Sequence, residues 1–508
     1  MNKMIKGLLV TALAVSSINA ATNKTFLMPR SQGVNLAMEY ATYNELINHK
    51  NGDFFGAHFQ VTPFYMESSD KNDIGRYFGI KDKNLIAIDH VTANANTDFT
   101  YLWMFHDAVP DPTTTANIKF EPELQAYGAR IDYYQDLEKI LDGLYLKVAL
   151  PIVHVENDMH INVTDKLGFF TAADGGVNAV EEYFLGTYGA GAPAATALAA
   201  ANAQAALTHA KIGGSHSETS VADIDVVLGY KIFDKDKYVV ALNLGLTIPV
   251  GNDPDGVWVF EPVVGNGDHW GFGGGLEAWV KLWEDGDQNI KLTAVANYRY
   301  LFEGTETRTL GLKRGDGTKI DWGQYRYLAL NDGTNNDTKL LIPAANILTK
   351  NVNVEPGSQF DAIAYLTYNN GGWTMDLGYN FFWKEREDVN LKDTTLDNTN
   401  YYVALNTLDG TAVAATAFGD CVSETSMTTN TPAAAASFAT AFQITTNHID
   451  TRAAETPSMD THKIFGSVGY IFKDWEYPVM LGVGGGYEFA DQQGIENWQI
   501  WGKFGIKF

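Results

Sequence analysis

Charged residues spaced two apart recur in this 508-residue chain, Arg130 with Asp132 and Asp223 with Asp225 among them. That spacing puts both side chains on one face of an extended strand. Their types permit pairing, solute contact or metal binding. His154, Glu156, Asp158 and His160 stand together near a strand end. The eleven histidines are otherwise scattered, and no HxxxH or HExxH occurs, so a solvated rim accounts for the group better than a metal site does. NDPDG (252–256) and NDGTNND (331–337) offer oxygens to Ca2+, but neither has EF-hand spacing, and turn chemistry explains both. Cys421 is the one cysteine and cannot form an internal disulfide. GFGGGLE (271–277) and GVGGGYE (482–488) lie inside strand patterns, with no following helix to cradle phosphate. They read as packing or bending glycines. With 61 acidic against 36 basic residues, the net charge of -25 argues against nucleic acid as a partner.

The elements that position these charges are strands. Period-2 alternation marks twelve segments, at 55–66, 119–135, 144–156, 220–233, 237–250, 267–283, 289–303, 357–369, 372–386, 459–473, 476–490 and 495–508. Each is long enough to cross a bilayer as a tilted strand. One face is apolar: Ile224, Val226, Leu228, Tyr230 and Ile232 in the fourth, Leu242, Leu244, Leu246, Ile248 and Val250 in the fifth. In the ninth, Trp373, Met375, Leu377, Tyr379, Phe381 and Trp383 form the stripe. Aromatics favour the stripe ends, as in two interfacial girdles. The other face carries His58, Arg130, Asp132, Lys147, Asp223, Asp225, Glu277, Arg299, Asp376, Glu488 and Lys503. Charges at membrane depth must face water or a partner. They either line a wet pore or pair and close a narrow barrel; twelve strands lie between the filled eight-strand and open sixteen-strand cases.

The connections sort themselves. Short turns at Asp142-Gly143, Asp234-Lys235-Asp236, Glu284–Gln288, Asn370-Gly371 and Asp474-Trp475 alternate with connections of about fifteen to about seventy residues. Only Asp491 to Gly494 breaks the pattern. Short turns at one rim and long loops at the other are the layout of an up-and-down barrel with periplasmic turns. The first twenty residues, MNKMIKGLLVTALAVSSINA, combine Lys3 and Lys6 with an apolar run and a small-residue exit. They read as a secretory signal peptide, cut after Ala20.

The chain ends ENWQIWGKFGIKF. Trp498, Ile500, Gly502, Phe504, Ile506 and Phe508 share one face, so the strand is complete to its last side chain. WGKFGIKF resembles the terminal strand of bacterial outer-membrane β-barrels. The resemblance implies an all-β, antiparallel transmembrane barrel. It also implies that Trp498, Ile500, Phe504, Ile506 and Phe508 form the signal read by the barrel-assembly machinery. Some members of that class are hydrolases, but no compact Ser–His or Asp–His motif is visible here, so no enzyme and no cofactor are expected.

The domain plan is therefore a signal peptide at 1–20, a periplasmic or plug segment at 21–53, and a barrel at 54–508 in a Gram-negative-type outer membrane. SQGVNLAMEYATYNELINH predicts a helix from Ser31, with Leu36, Tyr40, Tyr43 and Ile47 on one face. It serves as a plug in the lumen or as a cap on the turns. The alanine-rich 187–210 stretch, expected to be partly helical, and the interval 405–447 are surface loops or constrictions of the mouth. Segments 99–109 and 319–330 would raise the strand count to fourteen if they joined the wall. The functional expectation is a porin-like channel for passive diffusion of small polar solutes. Alternatives are a gated channel for hydrophobic compounds with an N-terminal hatch, and a structural or adhesive barrel acting through its loops. Partners are outer-membrane lipid, the assembly machinery and small solutes, with oligomers possible.

Overall fold

A computed structural model describes residues 23–42, 56–89, 98–100, 103–104, 115–164, 179–188, 205–330, 341–393, 396, 401–405, 420–421, 442–490 and 494–508. The signal-peptide expectation, most of 405–447 and much of 187–210 lie outside these residues. The described end of the alanine-rich stretch, 205–210, is not helical.

Twelve antiparallel strands close into a barrel. They are β1 (Ala57–Ser68), β2 (Glu123–Asp136), β3 (Leu144–Asp158), β4 (Ile224–Lys235), β5 (Tyr238–Ile248) and β6 (Gly271–Asp285). The ring continues through β7 (Gln288–Leu301), β8 (Gly357–Asn370), β9 (Trp373–Lys384), β10 (Met459–Phe472), β11 (Val479–Ala490) and β12 (Asn497–Lys507). Each pairs with its sequence neighbour, and β1 pairs with β12, so the ring has no free edge. Closure satisfies backbone groups that lipid cannot solvate. Phe508 completes the seam: its N–H donates to the Ala57 carbonyl, and the Ala57 N–H donates to the Phe508 carbonyl.

Alternation decides what each face meets. Leu242, Leu244 and Leu246 point out and are exposed, as are Met375, Leu377, Val483 and Ile500. Asn243, Glu277, Asn380 and Lys463 point in and are buried. Two bulges interrupt the register, opposite Val240/Ala241 and between Lys281 and Trp283. The second leaves Leu282 and Trp283 both exposed. An extra residue breaks the period at such a point.

The short turns gather at one rim. At the other, the long connections pack into a canopy over the mouth. Phe99, Trp103, Phe120, Phe184, Trp322, Tyr325 and Tyr327 form its buried core. Residues 99–100 and 319–320, with 327–330, belong to small canopy sheets and not to the wall, so the count is twelve and not fourteen. Buried apolar contacts in the canopy hold these short strands, which are too short to span a bilayer.

Candidate functional site

The barrel interior collects the charges. His58, Arg130, Asp132, Glu277, Asp376, Glu488 and Lys503 are inward-facing and buried. Asp225 and Arg299 face inward with about a fifth of each side chain exposed. Asp223 is buried just before β4, at a break after the strand Ser215–Val221, which pairs with the upper part of β3. The terminal-strand residues Trp498, Ile500, Phe504 and Phe508 are exposed on the outer face, and Ile506 lies on the same face opposite Phe59.

What meets the charges is the chain's own N-terminal segment. Residues 23–42 run through the lumen from canopy to short-turn rim. At the canopy end, the Asn23 N–H donates to the Gly79 carbonyl at 2.7 Å and the Thr25 N–H to that of Ala453 at 2.9 Å. The Arg308 guanidinium covers the Phe26 ring at 3.2 Å. Arg30 then pairs with Asp361 of β8 at 2.7 Å and Glu488 of β11 at 3.1 Å. Glu488 is also held by Lys463 at 2.9 Å. The only helical turn in this stretch is α1 (Leu36–Tyr40), capped by the Asn35 side chain, which accepts from the Met38 N–H. The predicted helix is thus shorter than the pattern and starts later, because Asn35 supplies the cap and Ser31 does not. Tyr43 and Ile47 lie outside the described residues.

From the helical turn onward the contacts continue. Glu39 pairs with Arg130 at 2.9 Å and Lys147 at 3.5 Å. The Tyr40 hydroxyl donates to Glu277 at 2.7 Å and accepts from Lys147 at 2.6 Å, and Lys147 also pairs with Glu277. Lys503 donates to the Glu39 and Ala41 carbonyls at 2.9 and 2.6 Å. The Thr42 N–H donates to Asp376 at 2.5 Å. Buried charges are tolerated only with such compensation, and removing one partner strands the other.

The wall is shaped to take the segment. A Cβ at Gly482 would come within 2.0 Å of Thr42, and one at Gly469 within 2.2 Å. Residues 23–42 therefore lie inside the barrel and not across the turns. Against β4–β7 the segment leaves a cavity of about 90 Å3. Asp225, Asn243, Gly245, Thr247, Gly273, Asn297 and Arg299 line it on the wall side, with Gly33 to Leu36 opposite.

Several of these residues escaped the sequence reading. Asp361 and Lys463 share the inward parity of their strands and were legible in principle. Arg30, Glu39 and Tyr40 lie outside any strand, and no local pattern marks them as lumen groups. Among the described residues, no cluster of three or more metal-ligating side chains occurs.

No family model and no curated protein matches this sequence. Solved structures share the strand arrangement only distantly. An outer-membrane channel from Pseudomonas putida F1 is 10% identical, with 91% of this chain and 100% of that one covered and a TM-score of 0.35. The Pseudomonas putida toluene transporter TodX is 10% identical, with coverages of 96% and 95% and a TM-score of 0.31. A Pseudomonas aeruginosa FadL homologue is 7% identical, with coverages of 95% and 99% and a TM-score of 0.30. These likenesses are too remote to transfer a substrate. The closed twelve-strand ring, with an apolar belt outside and charges within, makes the chain an up-and-down antiparallel β-barrel.

Proposed function

We propose that this chain is an outer-membrane channel for small polar solutes, gated by residues 23–42 inside its lumen. The short turns face the periplasm and the canopy faces out. The supporting observation is the chemistry between plug and wall. Arg30, Glu39, Tyr40 and Thr42 are held by Asp361, Glu488, Arg130, Lys147, Glu277 and Asp376. These contacts are polar, so a shifted plug leaves hydratable groups behind it. Water can replace each lost bond at small net cost. An apolar solute on the same wall would strand those groups without partners. A plain open pore does not describe this state, because residues 23–42 stand within the bore, bonded to its inward-facing groups.

A channel for hydrophobic compounds is the second reading. The aromatic canopy core favours it, with Phe99, Trp103, Trp322 and Tyr325 packed above the mouth. It requires those rings to separate and hand a solute to a charged lumen.

A reversible lock tests the gate. A Cβ at Gly482 would stand 3.0 Å from the Thr42 Cβ. That is a small shift from the roughly 3.5–4.5 Å of bridged cysteines. The doubly substituted Thr42→Cys/Gly482→Cys chain should be silent in a planar bilayer when oxidised and should conduct when reduced. Wild-type protein should show opening steps under both conditions. An oxidised lock that conducts like wild type would remove the gate, and a silent wild type would remove the channel.

A further inference from the structure

We propose that the cavity between the plug and β4–β7 is a binding site for a small, neutral, hydroxyl-bearing solute. This rests on the lumen being the solute path. The chemistry of the lining argues for the class of ligand. Five carboxylates border the cavity, and each is already ion-paired: Glu39 and Asp132 with Arg130, Asp225 with Arg299, Glu277 with Lys147, and Asp361 with Arg30. The five carboxylates share four cations, so an anion arriving there finds no free cation, and any ion still gives up its hydration, which is costly. A neutral solute avoids that cost.

The remaining groups suit hydroxyls. Asn243, Asn297 and Gln359 bring amides that both donate and accept, and Thr247 brings a hydroxyl. Arg299 uses Nη2 on Asp225 at 2.9 Å, while its buried Nη1 has no acceptor among the described residues. A buried donor of this kind calls for an acceptor. A solute hydroxyl can accept from Nη1 and donate to a neighbouring carboxylate or amide oxygen.

Space is provided by an absent side chain. A Cβ on Gly245 would meet only Val227, at 3.6 Å, so any larger residue there would project into the cavity. At about 90 Å3 the space takes roughly six water-sized groups, the scale of a three- or four-carbon polyol.

Saturation-transfer NMR on the detergent-solubilised full chain tests the site, with erythritol as the neutral probe and aspartate as a charged probe of similar size. Wild type should transfer saturation to erythritol and not to aspartate. Arg299→Lys keeps a cation beside Asp225 and removes the spare donor. It should weaken erythritol binding about fivefold, the worth of one hydrogen bond of about 1 kcal/mol. Gly245→Leu should abolish it by filling the space. Unboiled gel mobility reports folding of both variants, and Arg299→Lys decides alone if Gly245→Leu does not fold. Equal erythritol signals in wild type and Arg299→Lys, a preference for aspartate, or no erythritol signal in wild type would overturn the site. A bilayer-silent protein with site-dependent saturation would overturn the channel and keep the site. A conducting protein without it would do the reverse.

Discussion

Two stretches of this chain read almost alike, GFGGGLE in β6 and GVGGGYE in β11, yet the barrel uses their glycines differently. In β11 the inward positions are filled, one by the lumen segment and one by the neighbouring strand β12. Gly482 makes way for Thr42, and a Cβ at Gly484 would collide with the Trp501 ring at 2.5 Å. In β6, Gly275 is covered by the Asn297 and Asn243 side chains, but Gly273 lines the cavity, and Gly245 on the neighbouring β5 opens onto the same space. The glutamates that end the two stretches share one task. Glu488 holds Arg30 and Glu277 holds Tyr40, so each wall grips the plug by a carboxylate. A glycine run thus states only that the wall is thin; what approaches it decides whether the gap is filled or kept.

This contrast can be broken experimentally. The largest effect is expected at the grip beside β11. Arg30→Ala would leave Asp361 with the Asn380 amide but no cation paired to it, and Glu488 with Lys463 and the Thr461 hydroxyl, and breaking a buried pair costs about 3–5 kcal/mol. The detergent unfolding midpoint, followed by gel mobility against temperature, should fall accordingly; an unchanged midpoint would mean that the plug is not gripped there. Next comes Gly482→Val, which overpacks a filled gap and should cost about 1–3 kcal/mol in the same assay.

A pH effect should follow in the canopy, where the plug enters. His269 Nδ1 and Nε2 lie 2.7 Å from the Phe302 carbonyl and the Glu306 carboxylate. Both are acceptors, so only the imidazolium can donate to both. Burial pushes its pKa down, but the Glu306 carboxylate outweighs that and holds it above 6.5. A raised folded-state value means the stabilisation is complete below about 6.5 and is lost as pH rises through the raised value. Protease protection of the canopy should decline over that interval in wild type and stay flat in His269→Gln. The smallest effect belongs to Gly245→Ala, whose methyl group enters open space and should shift the midpoint by less than about 0.5 kcal/mol. A large loss there would make the two walls equivalent.

Much of the wall was legible in advance. The stripes through Leu242–Val250 and Trp373–Trp383 report a two-faced strand at every step, because a strand's neighbours in sequence alternate between its two surroundings. The plug was not legible in the same way. Leu36 and Tyr40 marked a helix, but whether it lay across the turns or within the bore depended on partners such as Asp361 and Glu488, more than three hundred residues away. Segments 99–109 and 319–330 carry strand-forming residues, and packing around Trp103 and Trp322 holds the described ones, 99–100, 103–104 and 319–330, outside the wall.

The sequence by itself determined the ring: period-2 alternation, the sorting of short turns from long loops, and a last strand apolar to Phe508 depend on local spacing alone. Tertiary structure decided what fills the ring. Ion pairs from Arg30 and Glu39 to the wall, and the cavity left beside Gly245, exist only once closure brings distant strands around one axis. The physical reason is range: a strand's two faces are set within a few residues, whereas a buried charge takes its partner from whatever the closed barrel places across from it.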